Sequence, residues 1–503
     1  MTDGAIKRLV VVSNRLPVVV ERGADGAWDV RQGAGGLVTA LAPVLRDRGG
    51  LWIGWPGSRD EDIDAATLAS VSGQVGYRLV PVSLPSEIVS DYYDGFANAT
   101  IWPLFHDLPS RSIFRPSYWR AYTAANEHFA TAIAAATTED DWVWVHDYHL
   151  MLVPQRLQAA GAPRRCGFFL HIPFPPVDIY LRLPWRFQVL HGLLSHDLIG
   201  LQTARDARNF VACVRALVKG VKVTRVGESY SLELGPRRVQ VGAFPISIDF
   251  NRFATRAAAA DVTLEVARLR EVLPDNQLIL GVDRLDYSKG IPERLLALQD
   301  ALRRYPELQG NVALYQVVVP SREHVPEYQL LKSEIERLVG EINGEFTQPG
   351  WQPVHYVYRS LSMRDLLAFY RMADICLVTS LKDGMNLVSK EYCACSIDED
   401  GVLILSEFAG SAGQLRRGAL LVNPHDIEGC ADAIHAAFRM PRSQRRQRMR
   451  QMRRSIERSD VFWWTESYLA AAIHKRLDAF PTHEYFVPDA PSGRFDWADA
   501  YPE

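Results

Sequence analysis

Short runs of apolar residues alternate along the chain with stretches in which apolar residues recur at helical spacing. Arg8 to Ser13 (RLVVVS), Leu51 to Gly57 (LWIGWPG), Trp142 to Val145, Gly167 to Pro175 (GFFLHIPFP), His196 to Thr203 (HDLIGLQT) and Val239 to Ile248 form the first series. They are continuous rather than alternating, the pattern of strands covered on both faces. Between them, Leu37, Leu41, Val44 and Leu45 share a helical face, and Ala204 to Val218 is amphipathic. Strand and helix in turn predict parallel βαβ units and an α/β fold.

Val262 to Leu273 is helical without a strand immediately upstream, so a domain boundary is expected near residues 245–255. Gln277 to Asp283 (QLILGVD) restarts the rhythm. It continues through a helix at Ile291 to Tyr305, a strand at Val312 to Pro320, a helix at Glu327 to Asn343 and a strand at Pro353 to Tyr358. A helix at Arg364 to Met372 and strands at Asp374 to Thr379, Val402 to Leu405 and Ala419 to Val422 follow, with a helix at Ile427 to Phe438. The expected division is 1–245 for a first domain and 246–459 for a second. A bulky helix at 460–478 (Phe462, Trp463, Trp464, Tyr468, Leu469) must pack on something large, and 479–503 reads as a tail.

Polar residues gather where the apolar runs stop. LKDGMNLVSKE, from Leu381 to Glu391, follows a buried strand and enters a helical pattern through Cys395. Its Asp-Gly turn puts a helix N-terminus, with unpaired N–H groups and partial positive charge, where a phosphate fits. Asp383 and Glu391 are placed to hold sugar and ribose hydroxyls. An ordinary strand-turn-helix connection has the same spacing. Arg284 and Lys289 flank the RLDYSKG segment before Gly290 and a helix, a diphosphate clamp or a charged surface turn. Asp147 and His171 close two consecutive strands, where ligands of open α/β sheets bind. His146 and His149 lack a third ligand at metal spacing. The glycines from Gly33 to Gly36 do not fit the dinucleotide fingerprint but suit a loop closing over an anion.

Bulk properties narrow the partners. The 503 residues suffice for two large domains, and 48% hydrophobic with 23% charged residues is ordinary for a globular chain. A net charge of −3 exerts no general pull on nucleic acid or anionic membrane. The arginine-rich run from Arg442 to Arg458 lacks aromatic partners and reads as a solvated helix face. No apolar run approaches the ~18–20 residues of a membrane span, and the N-terminus lacks a signal peptide's apolar core. The six cysteines sit in apolar or helical surroundings, as reduced thiols of a cytoplasmic protein would.

SNRLP, IGWPG, YYDGFANATIWPLFH, WVHDYHL, GFFLHIPFP, VDRLDYSKG, PSR and LKDGMNLVSKE stand in this order across roughly residues 8 to 475. Together they closely resemble the trehalose-6-phosphate synthase family. The resemblance implies a GT-B fold, two Rossmann-like domains facing a central cleft, with the terminal helix crossing back to the first. It implies retaining glucosyl transfer from a nucleoside-diphosphate glucose (UDP, GDP or ADP) to glucose 6-phosphate, giving trehalose 6-phosphate, with no metal or other cofactor. By the same resemblance Arg15, Tyr93 and Arg322 would hold the acceptor phosphate and Asp147 its hydroxyls. Trp102 and Ile172 would shape the pocket that selects the α-anomer. Gly35 and Gly36 would close over the donor, Arg284 and Lys289 would take its diphosphate, and His171 and Asp383 its sugar. The segment Gly384, Met385, Asn386, Leu387, Val388, Ser389 and Lys390 would meet sugar and phosphates, and Glu391 the ribose. The base would lie near Leu361, where relatives often carry Phe, which leaves the base open. A relative with another acceptor or a pseudo-sugar donor, and a silent sugar-phosphate-binding homologue, are the alternatives; the second predicts lost site charges, and all are present. A homo-oligomer is left open.

Overall fold

The computed structural model describes residues 8–22, 28–32, 38, 41–42, 44–46, 49–57, 65–272, 276–322 and 325–474. They fall into two compact units. The first runs to Val262 and includes Lys382–Cys395 and the residues from Arg453; the second comprises Thr263–Leu381 and Ser396–Met452.

Eleven strands among the described residues belong to the first unit: β1 (Leu9–Arg15), β2 (Val18–Arg22), β3 (Trp28–Gln32), β4 (Leu51–Trp55), β5 (Arg78–Pro81), β6 (Trp142–His146), β7 (Arg165–Phe169), β8 (Leu198–Leu201), β9 (Lys222–Val226), β10 (Ser229–Leu234) and β11 (Arg237–Ala243). Nine form one sheet in the order β5-β4-β1-β6-β7-β8-β11-β10-β9. The pairs from β5 to β11 are parallel, as the continuous apolar runs required. The expectation of parallel units throughout fails at one edge. There β9, β10 and β11 are antiparallel, and β2 and β3 form a separate antiparallel hairpin. The connections at Gly227 and Gly235, both with positive φ, are too short for a crossover helix, so only a hairpin can form.

The second unit carries six strands, all parallel: β12 (Gln277–Arg284), β13 (Val312–Val319), β14 (Val354–Tyr358), β15 (Ile375–Val378), β16 (Val402–Ser406) and β17 (Leu420–Val422). Their order is β14-β13-β12-β15-β16-β17. Both sheets therefore reverse direction beside their first strand, between β1 and β6 and between β12 and β15. In doubly wound sheets ligands bind outside the carboxyl ends of the strands at that switch point.

Two features were not legible in the pattern. The aromatic-rich segment Ser90–Ile101 is a π-helix, and Pro116–Ala136 is a long helix packed on it. The Arg442–Arg458 run is a largely exposed helix, as its sequence led one to expect, with Arg442 and Arg445 paired to Asp400 and Arg450 to Glu399. All six cysteines are buried and free. No helix of the described residues is long and apolar enough to cross a membrane.

The helix Val461–His474 supplies part of the first unit's core. Trp464 lies fully buried and donates from Nε1 to Phe244 O at 3.0 Å. Tyr468 stacks on Trp144 with ring centres 4.1 Å apart and donates to Phe168 O. Trp464→Ala should cost about 3–5 kcal/mol, read as a lower denaturant midpoint. An unchanged midpoint would mean that this helix adds nothing to the core.

Candidate active site

Polar groups of the first unit collect at the ends of β1, β6 and β7. Arg15, the last residue of β1, lays its guanidinium over Trp55 at 4.0 Å and beside Tyr93 at 5.6 Å from the ring centres. Tyr93 stacks in turn on His149. A guanidinium lying flat on aromatic faces keeps its N–H donors in its own plane, away from the rings, and planar donors of this kind suit an oxyanion. Asp147, just beyond β6, holds φ at +74°, and its N–H donates to Phe169 O at 2.8 Å. Its Oδ1 accepts from His171 N at 3.3 Å, so one carboxylate joins the ends of β6 and β7.

His171 Nε2 and His146 Nδ1 are 3.2 Å apart, one donating and the other accepting. Burial pushes His171 down to about 3 and His146 well below its usual value, with His171 adding to the effect on His146. Both rings are neutral at physiological pH and can bind only as hydrogen-bonding groups. Trp102 is buried, its ring 4.2 Å from His106 and 5.8 Å from Tyr148, and Ile172, next in sequence to His171, is buried too.

The segment Lys382–Glu391 comes to the same strand ends. Lys382 pairs with Asp107 at 2.7 Å. A Cβ on Gly384 would stand 2.2 Å from His171 O and 3.1 Å from Ile172 Cα, so only glycine permits this approach. Asn386 adopts φ +70°. Its Nδ2 donates to Asp383 Oδ2 at 3.2 Å, and its Oδ1 accepts from Ser389 N at 3.0 Å. The helix therefore begins at Leu387 rather than directly at the Asp-Gly turn, because Asn386 caps it from a left-handed position. Glu391 is half-buried and is the fifth helical residue, little more than one turn in. Lys390, expected among the donor contacts, has its side chain in the interior. Its Nζ donates to Ile246 O at 2.8 Å, and burial lowers its pKa to about 7.

In the second unit the cations lie at the ends of β12 and β13. Arg284 is exposed and Lys289 half-buried. Gly290, at φ +61°, caps the helix Ile291–Arg304, and a Cβ there would meet Thr379 O at 2.1 Å. Arg322, at φ +50°, bonds the Tyr328 hydroxyl and lies 3.7 Å from Asp286 Oδ2. Asp286 also accepts from Ser288 N at 2.9 Å. Arg284, Lys289 and Arg322 thus bring three basic side chains to this edge, with Asp286 beside Arg322. Beneath it, buried Arg294 pairs with Asp283 at 2.7 Å and donates to Thr379 and Gln316, tying β12 to its neighbours just before Arg284. Leu361 is half-buried in the loop after β14.

Within the first unit the structure thus gathers Arg15 with Tyr93, and Asp147, His171, Gly384, Asp383 and Asn386. Within the second it gathers Arg284, Lys289 and Arg322. Gly35 and Gly36 lie outside the described residues. Sequence reasoning passed over Gln202, Asp107, Asp286 and Tyr328, and set His146 aside with the metal question. Gln202 follows β8 as His171 follows β7, so its position at a strand end was the available signal.

The model of glycosyltransferase family 20 matches residues 7–474. A trehalose-6-phosphate synthase of Mycolicibacterium vanbaalenii is 45% identical over 481 residues, 93% of this chain and 96% of that protein. The crystal structure of a UDP-forming alpha,alpha-trehalose-phosphate synthase from Burkholderia xenovorans, in complex with glucose-6-phosphate, superposes with a TM-score of 0.82. It is 33% identical and covers 92% of this chain and 99% of its own. The Escherichia coli protein bound with UDP-2-fluoro glucose gives 0.83 at 34% identity, covering 93% and 99%. With the matched residues running from β1 to the terminal helix, this chain belongs to glycosyltransferase family 20.

Proposed function

We propose that this transferase moves glucose, with retention of configuration, from UDP-glucose to glucose 6-phosphate, releasing UDP and trehalose 6-phosphate. The observation that carries the reading is the basic end of β12 and β13, built from Arg284, Lys289 and Arg322 and braced by the buried Arg294–Asp283 pair. The related structures, one named UDP-forming and one bound with a UDP sugar, support the choice of base.

In this reading the bond between the donor's anomeric carbon and its β-phosphate oxygen breaks, and negative charge grows on the phosphate. Arg284, Lys289 and the first N–H groups of the helix at Leu387 stabilise that charge as it develops. The acceptor's anomeric hydroxyl oxygen bonds the same carbon from the same face, and its proton passes to the departing phosphate oxygen. No protein nucleophile is needed, unlike the two-carboxylate glycosidases. Arg15, Tyr93 and Arg322 take the acceptor's phosphate, and Asp147 its hydroxyls. His171, held neutral, and Asp383 bind hydroxyls of the donor sugar, and Glu391 the ribose. Gly35 and Gly36 close over the donor, the base lies by Leu361, and Trp102 and Ile172 select the α-anomer. The first domain binds acceptor, the second donor, in the cytoplasm.

A product assay with UDP-, ADP- and GDP-glucose, each with glucose 6-phosphate, should give trehalose 6-phosphate fastest with UDP-glucose. A faster rate with another base would overturn the donor assignment, and no product with any donor would overturn the transfer itself. Arg284→Ala should lower kcat by ~10²-fold or more; near-normal turnover would remove its role. Arg322→Ala should chiefly raise KM for glucose 6-phosphate, and an unchanged KM would count against the acceptor assignment.

A further inference from the structure

Four residues are linked by a continuous line of hydrogen bonds inside the first unit. Gln202, 1% exposed at the end of β8, donates from Nε2 to His171 O at 3.3 Å. Its Oε1 accepts from Ile246 N at 3.0 Å. Ile246 O accepts from Lys390 Nζ at 2.8 Å. Lys390 belongs to the helix Leu387–Cys395, whose preceding turn presses Gly384 against the same His171 carbonyl. The line therefore starts and ends on the two segments that meet at Gly384.

Lys390 is an expensive residue for this position. It is fully buried, and burial alone accounts for its depressed pKa; among the described residues no carboxylate is recorded against it. An ammonium in such a place costs stability, and an apolar side chain of similar length would pack there without that cost. A side chain that weakens the fold is explained by what it positions.

We propose that Lys390 and Gln202 are positioning residues for glucosyl transfer: through Ile246 they fix the register of the helix Leu387–Cys395, and with it Gly384, Asp383 and Asn386, against the carbonyl of His171. This rests on the transferase reading above. Neither residue touches the reacting atoms. Lys390 locates the helix by a single bond to a main-chain oxygen, and Gln202 spends both ends of its amide on main-chain partners, so its side chain has one orientation. A shift of the helix along its axis would break the line at Lys390 and carry Gly384 away from the His171 carbonyl.

The test compares Lys390→Met, Gln202→Leu and the double variant with the parent enzyme, using UDP-glucose and glucose 6-phosphate. Product formation by the parent checks the transferase reading; only the differences between parent and variants check the positioning role. Lys390→Met is expected to keep or raise the thermal midpoint at pH 7 while kcat falls by about tenfold or more and KM for glucose 6-phosphate stays within about twofold. Gln202→Leu is expected to show the same split. The double variant should lose no more than the worse single one, because both cut one line. Turnover within twofold of the parent in either single variant would overturn the proposal, as would losses that multiply in the double. A Lys390→Met chain that fails to fold, or whose midpoint falls, would make the lysine a structural residue and overturn it equally.

Discussion

Three residues proposed to meet substrate are held in backbone conformations that their side chains disfavour. Asp147, Arg322 and Asn386 have φ of +74°, +50° and +70°. Among the described residues only two other non-glycine positions do so, and one of them, Asp107, pairs with Lys382 beside Asp383. A left-handed L-residue costs roughly 1–2 kcal/mol, least for Asp and Asn. The cost is tolerated because surrounding bonds over-determine each residue. Asp147 is tied at N–H and carboxylate to the end of β7, Asn386 caps a helix, and Arg322 is clasped by Tyr328 and Asp286. The reward is direction: each abrupt turn aims a polar side chain off a strand or helix end instead of along it.

That geometry needs a rigid base, and the two sheets provide it in the same way. Each reverses strand order next to its first strand, between β1 and β6 and between β12 and β15, and ligands of open α/β sheets bind at the carboxyl ends of the strands there. Arg15 and Asp147 lie at the first of these points, and Arg284 and Lys289 at the end of β12. Apolar strands buried on both faces keep these ends from shifting. In the first unit the terminal helix adds Trp464 and Tyr468 behind β6, β7 and β8. Stability and site geometry are in this sense one property of the packing.

Electrostatics then divides the labour. In the first unit His171, which would face uncharged sugar, and His146, which lies against it, are pressed by burial toward their neutral forms. The groups of the second unit that would face phosphate are basic side chains, Arg284 exposed and Arg322 beside the Asp286 carboxylate. Neutral rings discriminate hydroxyls by direction, and fixed cations stabilise charge that grows only as the donor bond breaks.

The alternation of apolar runs was enough to predict an α/β chain, because a strand covered on both faces must be apolar throughout and a helix must show its period. The motifs at strand ends were equally legible, since a polar residue ending such a run has nowhere to lie but the sheet's edge. What periodicity omits is everything set by distant partners. It did not reveal the antiparallel edge of β9 to β11, the π-helix of Ser90–Ile101, or the left-handed cap that moves the helix start from Gly384 to Leu387. Nor did it show that Lys390, adjacent to Glu391 in sequence, turns inward to a carbonyl 144 residues away. Local sequence determined which elements form and which chemistry they carry. Only the tertiary structure decided where each side chain points, because that depends on which distant backbone oxygen is left needing a donor.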